Sequence, residues 1–101
     1  MAEIRWTEEA HRWLWDIHDY IAMDNPAAAQ KVISGIYEKA QMLRRFPEVG
    51  HKHHTETDGE VRILLYGHYR IVYLLKSSAN IDILGVFHDL KVWWLFYRTR
   101  C

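Results

Sequence analysis

A chain of 101 residues with thirteen basic, thirteen acidic and seven histidine side chains has the length of one domain. It lacks the cationic surplus that non-specific nucleic-acid binding draws on, although a local basic patch remains open to it. Half of the residues are hydrophobic, which excludes a disordered chain, and no apolar run reaches the ~18 residues of a membrane span.

The single cysteine, Cys101, is the last residue and reads as an exposed thiol with no internal disulfide. Together with the lack of an apolar signal segment after Met1–Arg5, this points to a reducing cytoplasm and to no membrane partner.

In chain order, Glu3 to Trp6 reads as a short strand. Thr7 is placed to cap a first helix, whose positive end suits Glu8 and Glu9. Ala10, Trp13, Leu14, Ile17 and Ile21 recur at helical spacing, and the helix is expected to run to about Met23. Asn25 and Pro26 are an N-cap and a first-turn proline. They open a second helix carrying Ala29, Val32, Ile33, Ile36, Tyr37, Ala40 and Leu43, which must end near Phe46 because Pro47 follows.

Pro47 to Glu60 is polar and without period, so it reads as the longest loop and a place to look for function. Its His51-x-His53-His54 cluster has no evident fourth ligand for zinc and reads as a solvated loop, with no metal expected. Val61–Tyr66, Tyr69–Lys76 and Ile81–His88 are rich in β-branched and aromatic residues, with turns at Gly67-His68 and Ser77–Asn80. The fold class is therefore α+β in the order β-α-α-β-β-β, a helical hairpin packed on one face of a small, mainly antiparallel sheet.

A two-residue turn at Gly67-His68 sets Tyr66 opposite Tyr69, Leu64 opposite Ile71 and Arg62 opposite Tyr73. With Lys76 opposite Ile81, Tyr73 meets Leu84, Ile71 meets Val86 and Tyr69 meets His88. One face then collects Val61, Ile63, Leu65, Val72, Leu74, Ile83 and Phe87, a core for the helices to cover, with Arg70 at its rim. The other collects Arg62, Tyr66, Tyr69, Tyr73, Asp82 and His88 and is expected to stay open. A bulge or a one-residue change in a turn would exchange the faces.

Phe46-Pro47-Glu48-x-Gly50, Val61-Arg62-x-Leu64, Gly67-x-Tyr69-Arg70-Ile71-Val72-Tyr73 and Ile83-Leu84-x-Val86-Phe87-His88 together resemble the RelE/ParE toxin superfamily, over residues 3 to 88. The Phe-Pro and Arg…Tyr-Arg-Ile-Val-Tyr pattern is closer to the ParE, plasmid-stabilisation branch. The resemblance implies a single toxin domain over residues 1–101, held inactive by a cognate antitoxin that meets DNA in its place. It implies DNA gyrase as the target in the ParE branch, and mRNA cleavage on the ribosome in the RelE branch.

The RNase alternative needs a base, an acid and a cation at the phosphate without a metal or other cofactor. The resemblance puts Arg70 and His88 in those catalytic roles, with Arg62, Tyr69, Tyr73 and Lys52 as target or RNA contacts. An inert homologue that only binds antitoxin is a further alternative. Trp15, Trp93 and Trp94 are candidate partner anchors. The chain departs from the branch's short polar tail at residues 89–101, which are unusually apolar and aromatic. That tail is expected to cover the sheet, dock a partner or join two copies.

Overall fold

The structure, a computed structural model, describes residues 2–88. Its elements are β1 (Ile4–Trp6), α1 (Glu8–Ala22), α2 (Pro26–Gln41) with a 3-10 turn at Met42–Arg44, β2 (His51–Glu56), β3 (Gly59–Tyr66), β4 (Tyr69–Lys76) and β5 (Ile81–Phe87).

Both helix starts follow from local chemistry. The Thr7 hydroxyl accepts from Ala10 N–H at 3.1 Å and donates to the Ile83 carbonyl at 2.7 Å, so one side chain caps α1 and ties it to β5. The Asn25 amide oxygen accepts from Ala28 N–H at 3.0 Å ahead of Pro26.

The five strands form one sheet in the order β1-β5-β4-β3-β2, with β1 parallel to β5 and the other pairs antiparallel. The α+β class holds, with one strand more than expected. Residues 51–56, read as loop, form edge strand β2. Its side chains are polar because it pairs on one side only, and a bulge between Lys52 and His54 breaks its alternation, so no hydrophobic period marks it.

The β3–β4 register is the expected one, with Tyr66 opposite Tyr69 and Arg62 opposite Tyr73. The β4–β5 register differs. A bulge after Val72 sets Tyr73 opposite Ile83 instead of Leu84, while Ile71 still meets Val86.

The covered face is also the reverse of the expected one. The helices pack on Leu64, Ile71, Tyr73, Ile81, Ile83 and Val86, with Tyr66 and Tyr69 beside them. Val61, Ile63, Val72 and Phe87 form a second cluster. The tyrosine face wins because large rings bury more apolar area against the helices, and because the one wholly buried hydroxyl there, that of Tyr73, has hydrogen-bond partners. No helix among the described residues is long and apolar enough to cross a membrane.

Candidate functional site

The residues singled out from the sequence do not converge on one site. Arg70 pairs with Phe87 in the register and so belongs to the face turned away from the helices. The His88 ring lies edge-on to Tyr69, with centroids 5.5 Å apart, on the helix side, and 6.1 Å from His68. The presumptive cation and the presumptive proton carrier thus sit on opposite faces of the sheet.

Three further residues are tied into the framework. Tyr73 is wholly buried, and its hydroxyl donates to the Pro47 carbonyl at 2.8 Å and accepts from Gly50 N–H at 3.0 Å. Burial pushes its pKa up, opposed mainly by the Gly50 hydrogen bond, so the hydroxyl stays neutral and able to donate. Arg62 donates to Glu60 at 2.8 Å, to the Glu48 carbonyl at 2.9 Å and to the Gly50 carbonyl at 2.7 Å. Lys52 lies 3.7 Å from the second Glu60 oxygen. The hydrogen bond from Arg62 holds the Glu60 carboxyl below its ordinary pKa, so it stays ionised between its two cations.

The family resemblance offers Tyr73 and Arg62 as target or RNA contacts, while the residues themselves also read as a sheet-packing ring and an ion-pair partner. Here they fasten the 47–50 corner to the sheet. The signal available for this was Gly50, where a Cβ would stand 2.6 Å from the Tyr73 hydroxyl.

A groove of about 440 Å³ lies between α1 and the β4–β5 end of the sheet. Trp13, Ile17, Tyr20, Tyr69, Phe87 and His88 line it. Trp13 packs on Phe87 with ring centroids 4.6 Å apart. Tyr20, in the groove lining, is 79% exposed; elsewhere on α1 and at its C-cap Trp15 is 57% and Met23 84% exposed. Exposed large aromatic side chains of this kind are the ones that protein contacts use as anchors. Trp93 and Trp94, the other candidate anchors, lie outside the described residues.

The histidines form a local chain on β2. The His53 and His54 Nδ1 atoms are 2.6 Å apart, and His54 Nε2 is 2.7 Å from Glu56. Among the described residues, no group of three His, Cys, Asp or Glu side chains is placed to hold a metal ion. Burial lowers the His53 pKa, and the neighbouring His54 and His51 lower it further.

The folded chain therefore prefers neutral His53, while the unfolded chain takes up that proton near pH 6.5. Below that pH the unfolded state binds more protons, so stability is expected to fall as pH drops through about 6.5 toward the lower folded value. Urea midpoints across this range check the slope, which should be shallower in a His53→Asn chain.

Residues 4–93 match the profile of the ParE toxin of the type II toxin–antitoxin system parDE. The chain is 33% identical over 90 residues to protein Y4kP of Sinorhizobium fredii, named as a candidate toxin; the match covers 89% of this chain and 91% of that one. Among solved structures, it is similar to a chain of a chromosomal ParDE toxin–antitoxin system from Pseudomonas aeruginosa. That likeness has a TM-score of 0.68 and 27% identity, and covers 85% of this chain and 94% of the other. A chain of the toxin–antitoxin complex RelBE2 from Mycobacterium tuberculosis is similar at a TM-score of 0.64 and 25% identity, over 87% and 98% of the two chains.

Proposed function

The chain belongs to the ParE toxin family of type II toxin–antitoxin systems, and on that premise we propose that it arrests growth as a protein-binding toxin whose target is DNA gyrase and whose activity a cognate antitoxin silences in the cytoplasm. The toxin role follows from family membership, and the choice of gyrase over ribosome-bound mRNA is the step added here.

The observation that carries the choice is the separation of Arg70 and His88 on opposite sheet faces. Metal-free RNA cleavage requires a base at the 2′-hydroxyl, an acid at the leaving oxygen and a cation at the phosphate, all around one phosphodiester. Tyr73 is inside the core, and Arg62 and Lys52 share the Glu60 carboxylate. A zero formal charge also offers little attraction for an RNA backbone. A toxin that works by contact needs only a surface. The groove beside α1, with Tyr20 exposed in its lining, has the apolar character that an amphipathic antitoxin helix recognises.

The test is controlled expression of the chain, alone and with the neighbouring reading frame, while gyrase supercoiling and mRNA ends are sampled. Growth arrest relieved by the neighbour, with inhibited supercoiling and intact mRNA, is the expected result. Arg70→Ala and His88→Ala chains are expected to arrest growth as the parent does. Codon-positioned mRNA cuts, lost in both variants, would replace this reading with ribosome-dependent RNA cleavage.

A further inference from the structure

The corner at residues 47–50 is held more firmly than its own burial requires. The Tyr73 hydroxyl donates to the Pro47 carbonyl and accepts from Gly50 N–H, and Arg62 donates to the Glu48 and Gly50 carbonyls. Glu48 is exposed, so water could satisfy its carbonyl without the guanidinium. What these bonds add is a fixed position. Val49 N–H closes a turn on the Phe46 carbonyl at 3.1 Å, with Pro47 at its second position. Such a turn brings the Cα atoms of its first and last residues within about 7 Å. Those residues are Phe46 and Val49, and both stay outside the core at 57% and 48% exposure.

Positive charge adjoins this apolar pair. Arg44 and Arg45 are exposed and make no ion pair among the described residues, whereas Arg5, Arg12, Lys52, Arg62 and Lys76 each have a carboxylate partner. Both arginines line a cavity of about 510 Å³, together with Ala2, Pro47 and the 78–80 turn. It lies at the end of β4 and β5 opposite to the α1 groove and shares no lining residue with it. The Asn80 Oδ1 accepts from Glu3 N–H at 3.3 Å, which leaves the amide nitrogen as a donor. The lining thus holds two guanidinium groups, the Ser78 hydroxyl and the Asn80 amide, and no carboxylate.

We propose, on the reading of the chain as a contact toxin but with or without gyrase as its target, that this corner docks an acidic segment with apolar side chains on the protein it acts on. Phe46 and Val49 supply the apolar contact. Arg44 and Arg45 take a carboxylate in the adjoining cavity, where a guanidinium bonds it more strongly than a neutral donor does. The clamp from Tyr73 and Arg62 lowers the ordering cost of binding.

Two measurements on the full chain test the corner. In the first, a short peptide of glutamate and leucine is titrated into the isotope-labelled chain, beside a control peptide of lysine and leucine. Amide shifts at residues 44–50 and 78–80 with the acidic peptide alone, and binding about ten-fold weaker in a chain with Arg44→Glu and Arg45→Glu, are the expected result. Shifts confined to the α1 groove, or equal affinity for the two peptides, would overturn the proposal.

In the second, that double variant and a Phe46→Ser chain are expressed as the parent is. The three positions are exposed, so urea midpoints should stay near the parent value. Growth arrest weakened at equal chain level, with the chain still captured by the product of the neighbouring reading frame, is the expected result. Full arrest by both variants would overturn the proposal. Loss of that capture by the folded variants would also overturn it, by making the neutralising partner the occupant. A parent chain that does not arrest growth would overturn the contact-toxin reading and leave the peptide titration to decide the corner's chemistry by itself.

Discussion

Tyr73→Ala is expected to lower the unfolding free energy by about 3–5 kcal/mol, the range for removing a large ring from a core. That is a large share of the ~5–15 kcal/mol that holds a small domain folded. Tyr73 is wholly buried at the centre of the helix-side core, between Arg62 on β3 and Ile83 on β5.

Tyr73→Phe separates the hydroxyl from the ring. It keeps the packing and strands the Gly50 N–H and the Pro47 carbonyl, both bonded to the hydroxyl at 3.0 and 2.8 Å. Its expected cost is about 1–3 kcal/mol. Urea unfolding gives both values, and amide exchange at Gly50 should quicken in the Phe chain. A Phe chain as stable as the parent, with Gly50 exchange unchanged, would mean that the hydroxyl contributes nothing to anchoring the corner. Arg62 grips the same corner through the Glu48 and Gly50 carbonyls. The Tyr73→Phe and Arg62→Met costs should therefore be non-additive by about 0.5–3 kcal/mol.

The parts of the fold legible in the sequence are those set by near neighbours. Thr7, Asn25 and Pro26 announce their helices because a cap or a first-turn proline acts within three residues. The Gly67-His68 turn fixes the β3–β4 register because two residues leave only one pairing, with Gly67 at φ 57°. The β4–β5 pairing escaped because one bulged residue shifts the phase of the strand, and no side chain marks the spot.

The choice of covered face escaped for a different reason. Both faces are apolar enough to be a core, and both are buried. Alternation identifies the two sets of residues without saying which one the helices take. Strand β2 was hidden by its edge position, where backbone pairing with β3 makes the strand and the side chains stay polar.

The candidate site was legible in the same partial way. Arg70 and His88 fall on opposite faces in the sequence-derived register and in the structure alike, since neither pairing depends on the bulge. The depth of Tyr73 was not legible, because it depends on which face the helices cover.

The second large effect is expected at Gly59, where Ala should cost on the order of 3 kcal/mol or more. Two penalties coincide there. The backbone stands at φ 153°, which L side chains rarely adopt, and a Cβ would fall 1.9 Å from the Leu75 carbonyl oxygen and 2.8 Å from the Lys76 Cα. Both obstacles are backbone atoms of the paired strand β4, so no rotamer change relieves them. Relief requires parting β3 from β4 where Gly59 opens the strand that also carries β2.

Gly67 separates the two penalties. It too has a positive φ, of 57°, but a Cβ there meets nothing within 4 Å. Gly67→Ala is therefore expected to cost only the backbone preference, about 1–2 kcal/mol, and Gly67→Asn less, since Asn tolerates the left-handed region. Urea midpoints for the three chains give the comparison. Equal losses at Gly59 and Gly67 would assign both to dihedral strain alone. A distinctly larger loss at Gly59 would show that the close approach of β4 makes glycine necessary there, and that the β2–β3 hairpin carrying the histidine chain is held by backbone fit more than by side-chain packing.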